Sequence, residues 1–440
     1  MTARAEKFPG QGSPAEAVAV DSKTYKSWSV VSASTTAFTV CFMVWMMFAV
    51  IGIPIKASLG LNETQFGILV AMPVLTGSLI RLPLGMWTDR YGGRIVFFIL
   101  MLSTVFPIWL ISRATEYWHF LLTSLFVGVA GGSFTVGIAY CARWFPRERQ
   151  GLAMGIFGVG NTGAAVTKLV APTIVVAFGW AMVPQVYAAI MLATAVLFWF
   201  FTYTDEAHAA GAAQVTVREQ LAVLKDPTVW RYSQYYSIVF GGYVALSLWM
   251  TKYYISEYGF DIQLAALLAA GFSIPGGLLR AIGGWISDKY GAHTVTWWVL
   301  WVGLVCLFFL SYPQSDVIFH TINGPKTFHF GLGPTVFTVI MFTMGIAFAI
   351  GKASVFKYIS DDYPHNIGVV SGVVGLAGGM GGFILPIMFG GLVDLTGVRS
   401  SAFMLMFGIV WVSLMWMYFT EVRPMSAEQA SRHPEPAHYT

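Results

Sequence analysis

The chain has 440 residues, of which 56% are hydrophobic, 16% aromatic and only 10% charged, with a net charge of +4. A soluble domain averages about 25% charged residues, so this composition cannot cover a water-facing surface. It excludes a soluble enzyme or nucleic-acid binder and points to an integral membrane protein.

The first 29 residues are polar, carry Lys7, Lys23 and Lys26, and lack an early apolar core. They predict a cytoplasmic tail with no cleavable signal peptide. Apolar runs of spanning length, about 20 residues, then recur twelve times: 30–52, 64–86, 95–112, 118–140, 152–176, 183–203, 232–255, 264–286, 295–311, 333–357, 366–392 and 399–420. Counts of eleven or thirteen stay open because 295–311 is short. A polar stretch between the sixth and seventh runs divides the chain. The expected organisation is a tail 1–29, a six-helix half 30–203, a linker 204–231, a second six-helix half 232–420 and a disordered tail 421–440. The fold class is therefore all-α integral membrane, with two pseudo-symmetric halves.

Twelve Lys and Arg residues, among them Arg90, Arg94, Arg143 and Lys289, fall on one face, against five, including Lys56 and Arg113, on the other. The richer face is cytoplasmic, which places both termini and the linker there, in a plasma (inner) membrane. Cys41, Cys141 and Cys306 lie far apart in or beside apolar runs, the pattern of buried thiols rather than of disulfides or a metal site.

The second run ends in LIRLPLGMWTDRYGGR at 79–94, and a copy, LRAIGGWISDKYGAH, lies at 279–293. Arg81 and Arg280, Gly85 and Gly284, Asp89 and Asp288, and Tyr91 and Tyr290 are each 199 residues apart. A constant offset means homologous halves, each with one arginine inside a span. An arginine at mid-membrane costs about 2.5–3.5 kcal/mol or more and normally faces a cavity. Asp89, Glu116, Glu148, Glu257, Asp261, Asp288, Asp361, Asp362 and Asp394 all sit at span ends or in loops, so mid-span carboxylates are not there to pair with either arginine. Two such arginines predict an anion site at the midplane between the halves; snorkelling is the structural alternative.

The fifth run, GLAMGIFGVGNTGAAVTKLVAP at 151–172, carries Gly155, Gly158, Gly160 and Gly163 around Asn161. The eleventh repeats the theme with Gly372, Gly375, Gly378, Gly379, Gly381 and Gly382. Small residues permit close helix packing, and they also let backbone approach a small ligand and helices slide. Asn161, an amide at mid-membrane, wants a partner. Lys168 lies seven residues after Asn161, on roughly the same helix face. Lys352 and Lys357 lie in the tenth run, Lys357 about 7.5 Å nearer the cytoplasm, where a plain surface lysine is the alternative reading. The histidines His119, His293, His320, His329 and His365 fall at span ends or in loops, which leaves lysines as the mid-membrane groups able to release a proton. Asp361 and Asp362 could pass protons at the cytoplasmic mouth. A nucleotide-binding loop, a metal-ligand cluster and a nucleophile–base pair are not recognisable, so neither enzyme activity nor a cofactor is expected.

Twelve spans in two sixes with a central loop resemble the major facilitator superfamily, as does Gly85-x-x-x-Asp89-Arg90-x-Gly92-x-Arg94 with its weaker copy after the eighth span. The resemblance implies alternating access, a monomer, and gating by Gly85, Asp89, Arg90, Arg94 and Asp288 with the helix-seam glycines Gly155, Gly158, Gly163, Gly375 and Gly378. Asp89 is expected to receive a hydrogen bond from a helix terminus across the two halves; a plain helix connector is the alternative. Gly158-x-Gly160-Asn161-x-Gly163, the glycine-rich eleventh span and one arginine in each of spans two and eight together resemble the nitrate/nitrite porter family. That resemblance implies transport of nitrate and nitrite, with Arg81 and Arg280 binding the anion, Asn161 assisting and Phe134, Tyr236 and Phe240 covering it; for the rings, core packing is the alternative. A lysine at Lys352 in this local sequence resembles the proton-coupled branch, with Lys168 and Lys357 as further candidates. Nitrate/proton symport is then the expected activity, with electroneutral nitrate/nitrite antiport or carriage of another small anion as alternatives. The partners are the anion, protons and the lipid bilayer, with no nucleic acid.

Overall fold

The computed structural model describes residues 14–204, 223–363 and 367–424. Residues 1–13 of the expected N-terminal tail, linker positions 205–222, His365 and the tail from 425 onward lie outside the described residues.

Apolar segments in a bilayer must satisfy their backbone groups internally, which leaves helices as the available form here. Among the described residues nine helices are long and apolar enough to cross a membrane, from Thr24–Leu59 to Ser401–Val422. Two more crossings are bent pairs: Glu63–Leu79 with Arg81–Tyr91 at 40°, and Ile262–Leu278 with Arg280–Tyr290 at 48°. The remaining crossing is span 7, built from Pro227–Tyr236, a π-helical turn Ser237–Gly242 and Tyr243–Tyr258. Its tyrosines dilute its hydropathy, but they are buried by the protein. Twelve crossings result, in the predicted order.

Local chemistry starts these helices where they start. Asn62 and Gln65 form a reciprocal capping box at span 2. Asp261 accepts from the Gln263 and Leu264 amides at span 8, and Asp226 caps span 7 ahead of Pro227. Gly92 and Gly291, again 199 residues apart, close spans 2 and 8 with φ of +86° and +83°, a region that L side chains rarely enter. The two helix bends fall immediately before Arg81 and Arg280, so the internal repeat extends to the backbone.

One element departs from the all-helical expectation. Between spans 9 (Ala292–Leu310) and 10 (Pro334–Asp362), strands β1 (Ser315–Thr321) and β2 (Gly324–Phe330) pair antiparallel. The β-branched and aromatic run Val317-Ile318-Phe319 in β1 and the Asn323-Gly324 pair are the sequence signals for it.

The halves meet along two seams, span 2 against span 11 and span 5 against span 8. Backbone approach at these seams is close: a Cβ on Gly67 would lie 2.4 Å from the Pro386 carbonyl, and one on Gly277 2.7 Å from the Thr162 amide. Counting crossings, the ends of even spans lie on the face of the linker, and the ends of odd spans on the opposite, distal face.

The seam glycines do not share one role. A Cβ at Gly155 would meet Ala281 at an ordinary 3.5 Å, and one at Gly158 the Arg280 side chain at 3.3 Å; both face the other half. Gly163 instead packs on span 1 of its own half, where a Cβ would lie 2.3 Å from the Thr39 carbonyl and 2.6 Å from the Met43 nitrogen. Gly163→Ala is therefore expected to force two helix backbones apart and to destabilise the protein by about 1–3 kcal/mol, whereas Gly155→Ala is nearly neutral. Thermal unfolding in detergent checks this; equal midpoints for the two variants would contradict the packing argument.

Candidate functional site

Span 2 bends before Arg81 and span 8 before Arg280, and both arginines turn into the interior, 3% and 9% exposed. Phe134 of span 4 lies between them: its ring centroid is 5.7 Å from the Arg81 guanidinium carbon and 5.0 Å from that of Arg280. The guanidinium of Arg81 also faces Phe240, at 5.2 Å. That of Arg280 faces Phe356 of span 10, at 5.3 Å. Phe356 closes the set, edge-on to Phe134 at 6.5 Å and to Tyr236 at 5.1 Å. Tyr236 and Phe240 stack at 5.1 Å and 7°, and Phe240 stands in the π turn of span 7, an irregularity that recurs at functional sites. Two cations thus sit within one aromatic box fed by spans 2, 4, 7, 8 and 10.

The box leaves polar atoms unpaired. Arg81 donates through Nη1 to the Gly375 carbonyl of span 11, 2.8 Å away across the halves. Its Nε, the Nη1 of Arg280, the Tyr236 hydroxyl and the Asn161 Oδ1 are buried without a hydrogen-bond partner. Buried polar groups are almost always bonded, and two cations with spare donors suit an anion with several acceptor oxygens. A Cβ at Gly378 would lie 2.3 Å from the Tyr236 ring, whereas one at Gly375 would meet Arg81 Nη1 at an ordinary 3.7 Å, so Gly378 of span 11 makes room for the box. Asn161 donates its Nδ2 to the Gly158 carbonyl at 2.8 Å, one turn from the glycine that touches Arg280. The free Oδ1 is an acceptor and suits a guanidinium; to donate to an anion the amide must turn over.

The lysines take separate places. Lys352 is fully buried; its Nζ donates to the Gly276 carbonyl at 2.5 Å and lies 3.5 Å from the Tyr243 ring centre. Gly276 precedes Arg280 by one turn, and Phe356 follows Lys352 by one turn, so Lys352 is a near neighbour of the box. Lys168, also buried, donates to the Ser273 hydroxyl across the halves at 2.5 Å. Lys357 is apart from both, paired with Asp361 at 2.8 Å and Asp288 at 3.4 Å on the linker face.

Of the other linker-face residues, Asp89 and Glu421 differ from the expectation. Asp89 pairs with Arg143 of its own half at 2.5 Å, not with a helix terminus of the other. Arg94 donates to the Trp199 carbonyl at 2.6 Å and lies over that indole, while Arg90 lies over the Tyr91 ring at 5.3 Å. Asp362 accepts from Tyr232. Glu421, assigned by its sequence position to a disordered tail, is instead buried at the end of span 12. It accepts from Tyr235 at 3.0 Å and Tyr358 at 2.6 Å, contacts His293 at 2.7 Å, and pairs with Arg231 at 3.7 Å.

Twelve crossings in two repeats, with one guanidinium from each half inside a box at their junction, define a membrane transporter and not an enzyme. The description "Major Facilitator Superfamily" matches residues 33–386. Among curated proteins, the chain is 38% identical to the "Probable nitrate/nitrite antiporter NarK1" of Thermus thermophilus, over 90% of this chain and 92% of the relative. It is 29% identical to the "Nitrite extrusion protein" of Bacillus subtilis, over 89% and 94%, and 30% identical to the "Probable nitrate transporter NarT" of Staphylococcus carnosus, over 87% and 94%. Similar solved structures are a bacterial homolog of the human lysosomal transporter Spinster, with a TM-score of 0.66 at 17% identity over 90% of this chain and 96% of that one, and the nucleoside transporter NupG, with 0.69 at 13% over 88% and 98%; these share the fold. The chain belongs to the major facilitator superfamily and, within it, to the NarK-like nitrate/nitrite porters.

Proposed function

We propose that this protein is a monomeric nitrate importer working by nitrate/proton symport, with its linker face and both termini in the cytoplasm of a cell whose plasma (inner) membrane it spans. The two six-helix halves, 30–203 and 232–420, rock about the aromatic box. The observation that carries the reading is the pair of guanidinia on one Phe134 ring with donors left over. Nitrate is planar and monovalent with three acceptor oxygens. The forks of Arg81 and Arg280 match those oxygens, Tyr236 offers a further donor, and Phe134, Phe240 and Phe356 cover the faces. Without the anion the two cations repel across a dry gap; with it the halves can close, so binding favours the closed state by differential interaction. Lys352 is the first candidate for carrying the proton, Lys168 the second; Lys357 is held by two carboxylates. On the linker face, Asp89, Arg90, Arg94 and Asp288 govern gating together with the seam glycines.

A second reading, nitrate/nitrite antiport, is favoured by the names of two relatives, one a probable antiporter and one a nitrite extrusion protein. Both readings predict the same substrate selectivity. Purified protein in liposomes is expected to take up nitrate, with nitrite competing and sulfate and phosphate at equal concentration leaving uptake unchanged. A narrow, aromatic-walled box with two cations balances one negative charge better than two. Competition by sulfate comparable to that by nitrite would sink the assignment.

A further inference from the structure

Asp394 stands in the last turn of span 11 (Val369–Thr396), a poor place for a carboxylate because the helix already ends in negative dipole. Its compensation comes from the other half. One oxygen accepts from the Glu63 amide at 3.1 Å, and the second from the Thr64 amide at 2.8 Å and the Thr64 hydroxyl at 2.6 Å. Asp394 therefore caps the N-terminus of span 2 across the distal face. Beside it, Glu63 forms an ion pair with Lys252 of span 7, again across the halves, and a second with Lys56 of its own half at 3.5 Å. Lys252 is 7% exposed and lies over the Trp249 ring at 4.6 Å, so the lysine end of this pair is shielded from water.

The arrangement is what the sequence led us to expect of Asp89, but on the other face and from the other half. Span 2 ends in Asp89 on the linker face; span 11 ends in Asp394 on the distal face. In this structure the distal carboxylate reaches across to a helix terminus, while Asp89 and Asp288 pair with Arg143 and Lys357 inside their own halves.

We propose that Asp394, with the Glu63–Lys252 pair, is the latch that holds the distal face shut, and that each transport cycle breaks and remakes it. The proposal rests on alternating access, not on the identity of the anion. Opening this face must part Asp394 from span 2 and Glu63 from Lys252 together. Asp394 then returns to an unfavourable helix end, which biases the halves back toward closure.

The test reads conformation directly, with no anion added. Spin labels go on Ser58→Cys and Gln263→Cys, exposed positions at distal ends of the two halves, while Cys41, Cys141 and Cys306 are buried and replaced by Ser. Pulsed electron-spin distances in liposomes are expected to give one short population in the parent. Asp394→Ala and Lys252→Met should each raise the ratio of long to short distances by about tenfold, the scale of losing a helix cap. Asp394→Asn, which keeps shape and acceptor but not charge, guards against a misfolded alanine variant and should shift the same way by less. Glu63→Lys combined with Lys252→Glu should restore the short population that either change alone loses. An unaltered distribution in the Asp394→Asn/Lys252→Met double variant, or no rescue by the charge swap, would overturn the latch.

Discussion

Arg81→Lys and Arg280→Lys are each expected to reduce nitrate uptake in proteoliposomes by about 10- to 100-fold, the cost of losing one hydrogen bond of about 1.5–3 kcal/mol to a charged group. The charge is conserved in both variants, so the loss reports the fork and not the cation. The two positions differ in an informative way. A lysine at position 81 can still reach the Gly375 carbonyl, the one bond Arg81 makes across the halves, but has no second nitrogen to offer. A lysine at 280 replaces the unpaired Nη1 and also loses the flat stacking between Phe134 and Phe356. The penalty at 280 is therefore expected to fall more on affinity. Near-normal uptake by either variant, with unchanged elution and thermal midpoint, would remove bidentate recognition from the site.

Much of this site was legible because it is written twice. A 199-residue offset that holds for arginine, glycine, aspartate and tyrosine needs no geometry to be noticed, and the absence of mid-span carboxylates makes the arginines conspicuous. The bends before Arg81 and Arg280 were not legible, since the apolar run continues across them. Phe356 was missed for a related reason. In a span where nearly every residue is apolar, hydropathy does not say which ring faces inward, and only packing against Arg280 and Tyr236 distinguishes it. Glu421 was misplaced because it follows the last apolar residue of span 12. Its burial comes from Tyr235 of span 7 and Tyr358 of span 10, 186 and 63 positions away in sequence, which a linear reading does not bring together. The same limit applies to Asp394. At a span end it reads as a surface charge, and its meaning comes from the amides of Glu63 and Thr64 in the other half.

Coupling is where symport and antiport part. An inside-negative potential opposes entry of a lone anion by about 2.3 kcal/mol per 100 mV, so an accumulating importer must bring in at least one cation, and more than one to exploit the potential. A sodium ion needs negative or carbonyl oxygens around it, and the box instead holds two guanidinium cations with no mid-span carboxylate in the sequence to offset them. Under symport, Lys352 is the group proposed to carry the proton: it is buried, tied to a backbone carbonyl, stacked on Tyr243, and one turn from Phe356, which faces Arg280. An ammonium held among rings and carbonyls gains from an anion beside it, and linkage makes that gain mutual, so proton and nitrate promote each other's binding. Proteoliposomes with a potassium-diffusion potential separate the two readings. Under symport, uptake rises with an inside-negative potential and with external acidity and needs no internal nitrite. Lys352→Met, which keeps length and removes the proton-binding amine, should then abolish the response to the pH gradient while nitrate still binds. Lys168→Met loses instead a single cross-half bond to Ser273 and should slow transport while keeping its pH dependence. Uptake that ignores both gradients but requires internal nitrite would establish antiport and leave Lys352 a structural cation; a pH response unchanged in Lys352→Met would move the proton to another group.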